Sequence, residues 1–117
     1  MRSPLLYLSE MIDAVEAIKD FTHGMDKEDF LSDAKTKSAV VRQFEILGEA
    51  AKALPENIKA LVTDLPWSRI AGMRDRLIHA YFIVDYKLVW DTVENELPLL
   101  KEKLEKLRSE LKEVDET

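Results

Sequence analysis

The chain has 117 residues, no cysteine, and 17 basic against 23 acidic side chains, for a net charge of −6. That length is one domain's worth, and a chain of this size buries enough surface to fold without a disulfide or metal staple. The lack of cysteine excludes thiol chemistry, disulfides and zinc knuckles. The acidic balance argues against non-specific nucleic-acid binding, which runs on phosphate neutralisation.

In chain order, Ser3-Pro4 opens the first expected helix, with Ser3 as cap and Pro4 where its missing N–H costs nothing. Leu5, Leu8, Met11/Ile12, Val15 and Ile18/Lys19 repeat at helical spacing, and Gly24 stops the run. Glu10 and Asp13 interrupt the apolar start, so neither a signal peptide nor a membrane span is read there, and a cytoplasmic protein without membrane contact is expected. The stretch MDKEDFLSD is a connector with room for one short turn. Ser32 or Asp33 caps a second long helix, with Val40, Phe44, Leu47, Ala51 and Leu54 on one stripe and Pro55 at its end. PENIKALVTD reads as a short helix, and Pro66 starts another, PWSRIAGMRDRLIHAYF. Asp85 caps the last helix, with Leu88, Val89, Val93 and Leu97 inward and Pro98 kinking or dividing it. Leu100, Leu104, Leu107 and Leu111 continue the stripe through a charged tail. No segment alternates convincingly with period two. The expected fold is all-α: a four-helix up-and-down bundle with one additional short helix, as a single domain over 1–117.

The paired Glu-x-x-His pattern of di-iron bundles is absent, because Arg76 stands three before His79 and Asp20 three before His23. No metal site and no cofactor are expected. The chemistry concentrates in GMRDRLIHAYF, residues 72–82. Between Trp67 and Phe82 the charges are Arg69, Arg74, Arg76 and a single Asp75, so a local positive pocket on an acidic body is available. On a helix, Ile70, Met73 and Leu77 form one apolar stripe and Ala71, Ile78 and Phe82 another, with Arg74 inside the second. A semi-buried arginine needs a partner. An ordinary surface pair of Asp75 and His79, four apart, is the plainer reading of the same residues. Five residues turn an ideal helix by about 500°, so Arg74 and His79 would point about 140° apart. They meet at one phosphate only if the helix loosens before His79, if the arginine bends, or across a twofold interface.

Other residues are weaker candidates. Glu45 and Glu49 lie one turn apart on the second helix, either as a solvated acidic face or as residues orienting Arg74 or His79. Arg42 is placed to pair with Glu45, and Gly48 to allow close helix contact. Arg69 and Arg76 are candidate phosphate contacts or plain surface cations. His23 reads as a helix-end residue, and Trp67 and Trp90 as core or interface anchors.

Arg74-x4-His79-x-Tyr81 matches the motif of the HEPN superfamily. Together with YLSEMIDAVEAI, FEILGEAAKAL, PWSRIAGMRDRLIHAYF and VDYKLVWDTVENELPLL, in the same order over most of residues 7–100, it resembles the HepT-like toxins of HEPN/MNT toxin–antitoxin systems. The resemblance implies a helical bundle that forms a homodimer or higher homo-oligomer. It implies a metal-independent endoribonuclease toxin acting on RNA, with Arg74 and His79 as the catalytic pair. It also implies a minimal nucleotidyltransferase antitoxin that adds AMP to the motif tyrosine, here Tyr81. Family members usually carry Asn directly after the motif arginine; this chain has Asp75.

Elementary chemistry agrees with that set. Metal-free RNA cleavage uses the 2′-OH as nucleophile and needs a base, an acid and a cation for the charged phosphorane. Histidine suits the proton transfers, and arginine offers a fixed fork of donors to phosphate oxygens. Two rival expectations remain: a non-catalytic nucleotide- or protein-binding module, and a purely structural helical dimer.

Overall fold

The computed structural model describes residues 3–73, 75, 78–80 and 83–116, with side chains for all of these except 78–80, 83 and 114–116. Helix α1 spans Pro4–Phe21. Ser3 is extended ahead of it, and its carbonyl accepts from the Leu6 N–H at 3.0 Å, while its hydroxyl makes no capping bond. The helix ends where the Thr22 hydroxyl donates to the Ile18 carbonyl at 2.9 Å. Gly24 then takes φ +77°, a left-handed conformation that glycine adopts without a Cβ penalty.

The expected connector holds a short helix, α2, Lys27–Leu31. Asp26 and Asp29 close a reciprocal capping box: the Asp29 N–H donates to Asp26 Oδ1 at 2.8 Å and the Asp26 N–H to Asp29 Oδ2 at 3.1 Å. Of the two candidate caps for the next helix, Asp33 serves. Its Oδ1 accepts from the Thr36 N–H at 3.0 Å and its Oδ2 from the Thr36 hydroxyl at 2.8 Å. These bonds hold the Asp33 carboxyl below its ordinary value, the backbone bond contributing most. Helix α3 runs Ala34–Ala53 and buries four residues of the expected stripe, and the fifth, Leu54, is buried just past its end. Pro55 follows, and α4, Glu56–Lys59, is shorter than PENIKALVTD suggests.

The largest departure comes next. A helix was expected over 66–82, but α5 covers only Trp67–Ala71. Gly72 turns, Met73 and Asp75 are helical, and residues 78–80 are extended. Strands β1, Ile78–Ala80, and β2, Ile83–Val84, pair antiparallel, with Ile78 opposite Val84 and Ala80 opposite Ile83. The run is rich in β-branched and aromatic residues, which favour extended backbone over helix. Helix α6, Tyr86–Asn95, begins at Asp85, whose carboxylate accepts from the Leu88 N–H at 3.1 Å. Pro98 divides the last expected helix. α6 ends at Asn95 and α7, Leu97–Glu116, restarts with Pro98 in its first turn, where no N–H is required.

The all-α class therefore holds, with seven helices among the described residues and one two-stranded ladder. α1 packs on α3 and α7, α2 joins α3 to α6, and α5 lies against α3. Leu8, Met11, Ile12, Val15 and Ile18 from α1 share one buried cluster with Val40, Phe44 and Leu47 of α3 and Leu100, Leu104 and Leu107 of α7. Phe30 and Trp90 meet in that cluster with ring centroids 5.4 Å apart.

Two outcomes follow from this packing. Phe44 is 1% exposed, so Phe44→Ala is expected to lower the unfolding free energy by about 3–5 kcal/mol in urea titrations. Asp33→Asn is expected to lower stability at neutral pH. Because the folded-state value of Asp33 is depressed, its contribution is present above the ordinary 3.8 and is lost as pH falls through the lower folded value. The gap between wild type and Asp33→Asn in thermal melts should therefore close as the pH drops below 3.8.

Candidate functional site

The motif segment hangs between two anchored helices. Upstream, the Trp67 indole N–H donates to the carbonyls of Lys59 and Val62, both at 3.0 Å, fixing α5 to the loop after α4. Ile70 and Met73 are each 2% exposed and insert this part of the chain into the core. Downstream, Asp85 caps α6, and the Lys37 ammonium lies 4.6 Å above the Tyr86 ring, joining α3 to the first residue of α6. α5 is also tied to the turn after α6. Arg69 Nη2 lies 2.8 Å from Glu96 Oε1, linking α5 to the residue between α6 and α7. The sequence treats Arg69 as an RNA contact or plain surface cation; the structure gives it this carboxylate partner.

Within the anchored stretch, Arg74, Arg76 and Tyr81 fall outside the described residues. Asp75 is helical and exposed. The backbone of His79 is in β1, at the irregularity where three residues of that strand oppose two of β2. The 140° separation of Arg74 and His79 belongs to a continuous helix. Because the chain is extended at 78–80, that objection no longer applies.

The acidic candidates are carried by α3. Glu45 and Glu49 line one groove between α1 and α3, together with Tyr7, Glu10 and Arg42. The Arg42 guanidinium is 3.5 Å from Glu45, the pairing the spacing suggests. Gly48 is buried on the same helix. Among the described residues no three histidines or carboxylates are grouped as a metal ion would need. No described helix is long and apolar enough to cross a membrane.

The sequence reading missed the strand pair and the Arg69–Glu96 tie. A signal for the first was present: Ile78, Tyr81, Phe82, Ile83 and Val84 are a dense run of strand-forming residues. Nothing local marks the second, because its partners are 27 positions apart in the chain.

These features describe a small all-α protein whose one motif-bearing segment is held at both ends by the bundle. The family model described as "Ribonuclease HepT-like" matches residues 11–107, and the chain belongs to that family. A "Probable ribonuclease HepT" from Thermococcus cleftensis is 50% identical over 107 residues, which is 92% of this chain and 97% of that one. A "Putative RNase" from Methanocaldococcus jannaschii is 40% identical over 107 residues, 92% of each chain. Another from Caldanaerobacter subterraneus is 38% identical over 107 residues, 92% of this chain and 96% of its own length. No solved structure matches the chain significantly.

The anchoring is open to a direct check. Trp67→Phe keeps an aromatic ring, though a smaller one, and removes the donor shared by two carbonyls, so it should cost at least about 0.5–1.5 kcal/mol in urea denaturation. Arg69→Ala, which breaks an ion pair with one partner 51% exposed, should cost no more than about 1 kcal/mol in the same assay.

Proposed function

We propose that this protein is a metal-independent endoribonuclease, the toxin of a HEPN/MNT toxin–antitoxin pair, folded as one domain over its length and active as a homodimer. The observation that carries the reading is Arg74-x4-His79-x-Tyr81 standing in a chain that matches the HepT-like ribonuclease family over residues 11–107. The names of its relatives as ribonucleases support an RNA substrate.

In this reading His79 moves the proton to or from the reacting 2′-OH and leaving oxygen. The 2′-oxygen attacks the adjacent phosphorus, the 5′-oxygen leaves, and the strand ends in a 2′,3′-cyclic phosphate. Arg74 holds the phosphate and offsets the charge that develops on it. A twofold arrangement supplies a second His79, so that one imidazole accepts a proton while the other donates one. Arg76 adds positive charge for the backbone, and Glu45 and Glu49 are candidate supports for the arginine or the histidine. Tyr81 is the acceptor for AMP from a cognate nucleotidyltransferase. The added anion competes with RNA for the same cleft. The protein works in the cytoplasm.

One observation favours a second reading, a non-catalytic nucleotide- or protein-binding module. Asp75 replaces the usual asparagine and puts a negative charge beside Arg74.

The test is cleavage of a labelled RNA pool in EDTA, with protein shown by mass to carry no AMP on Tyr81. Wild type should cut and leave 2′,3′-cyclic phosphate ends. His79→Ala should lower the rate by about 10²–10⁴-fold, and Arg74→Ala by about 10²–10³-fold. Asp75→Asn should raise the rate. A 3′-hydroxyl product would sink the mechanism, and an inert unmodified dimer would favour the binding module. Tyr81→Phe should abolish AMP incorporation by the partner enzyme while RNA cleavage persists.

A further inference from the structure

Four large hydrophobic side chains are exposed among the described residues, and two of them share one surface. Leu61, in the turn after α4, is 61% exposed, and Leu99, in the first turn of α7, is 55% exposed. Both line a groove between that turn and α7, together with Val62 and the buried Leu107. The other two, Leu6 and Phe21, lie towards opposite ends of α1, about 22 Å apart along its axis, and make no joint patch. Single exposed leucines are ordinary, but a contiguous apolar surface marks an interaction site.

Leu99 also borders a cavity of about 170 Å³ between α5 and the start of α7. Leu65, Ile70, Met73 and Leu100 give that cavity apolar walls. An apolar cavity of about 150 Å³ takes a benzene ring, so this one has room for a leucine side chain. Groove and cavity are continuous, since Leu99 and Lys103 line both. One face of the chain therefore presents a protruding leucine, Leu61, and beside it a hole of the size to hold one.

The charges on this face narrow the occupant. Arg69 and Lys103 line the cavity and are already paired, Arg69 with Glu96 at 2.8 Å and Lys103 with Asp64 at 3.0 Å. Glu102, Lys106 and Glu110 complete the groove. Both signs are present and nearly cancel, in a chain that carries −6 overall. RNA calls for a surplus of positive charge, which this face lacks. Two copies of an acidic chain repel each other, and least so where the facing surfaces carry both signs. A twofold interface also requires a surface complementary to itself. A leucine knob beside a leucine-sized hole meets that requirement. We infer that two copies of the chain pair through this face, Leu61 of each copy entering the cavity between α5 and α7 of the other. The inference rests on the homodimer of the proposed function and supplies its interface; the ribonuclease chemistry is independent of it.

The test has two arms. In the first, sedimentation over a range of protein concentrations gives the dimer Kd. Leu61→Glu and Leu99→Glu should each raise it by at least about tenfold. Leu6→Glu, at an exposed position on α1, should leave it unchanged. All three replace exposed side chains, and circular dichroism should show the same helix content in each. In the second arm, Leu61→Cys chains are mixed with isotopically labelled Leu99→Cys chains and mildly oxidised. The chain has no cysteine of its own, so a covalent dimer containing one chain of each kind, read by mass, reports that Leu61 of one copy reaches the cavity edge of the other.

A dimer that survives both glutamates and gives no mixed cross-link would overturn this interface, and RNA cleavage by that dimer would leave the nuclease standing. A dimer weakened by both glutamates and cross-linked as expected, in a protein that cuts no RNA, would do the reverse. A wild type that stays monomeric at every concentration would overturn the inference and leave the face to a different protein.

Discussion

Everything else in the molecule is hung on the contact between α1 and α3. These helices of 18 and 20 residues bury Leu8, Met11, Val15 and Ile18 from one side and Val40, Phe44, Leu47 and Ala51 from the other. Each large apolar side chain taken from water contributes about 1.5–3 kcal/mol against the conformational entropy lost on folding. The buried positions recur at three- and four-residue intervals, so one stripe on each helix faces the core while charged residues keep the other faces wet. α7 completes the cluster with Leu100, Leu104 and Leu107.

Beside that centre, the motif-bearing segment departs from helix at Ile78–Ala80. The motif segment lies between α5 and α6, and each of these helices is fastened separately. Trp67 holds the first by two carbonyls, and Asp85 and Tyr86 hold the second. The Arg69–Glu96 pair then ties α5 to the far end of α6. A surface ion pair adds little to global stability, so this one is a local tie between α5 and the turn after α6.

Electrostatics follow the same division. Arg42, Lys59, Arg69, Lys101 and Lys103 each lie within 3.6 Å of a carboxylate. Their charge is locally balanced, which fits an acidic chain with no need to attract phosphate over its whole surface. The basic residues of the motif, Arg74 and Arg76, come in a stretch of sequence where Asp75 is the sole acid between Trp67 and Phe82.

The sequence by itself determined the all-α class, the stripes of α1, α3 and α7, the cap at Asp33 or its neighbour, the cap at Asp85 and the break at Pro98. Each is set by residues within a turn or two of one another: apolar spacing, a side chain reaching its own helix end, a missing N–H. The motif residues Arg74, His79 and Tyr81 were legible too, as a pattern and by family resemblance, because such a pattern is local in the chain. Tertiary structure decided what local rules left balanced. Residues 78–84 satisfy helical spacing and strand propensity alike, and pairing of β1 with β2 takes the extended choice. The choice between Ser32 and Asp33 is itself local and fell to Asp33, whose carboxylate takes both donors of Thr36 three residues on. The partners of Arg69 and Lys103, and the cavity they border, join residues 27 and 39 positions apart. Contacts of that range arise only when separate helices are packed, since no periodicity within one segment encodes which side chain a distant segment will bring.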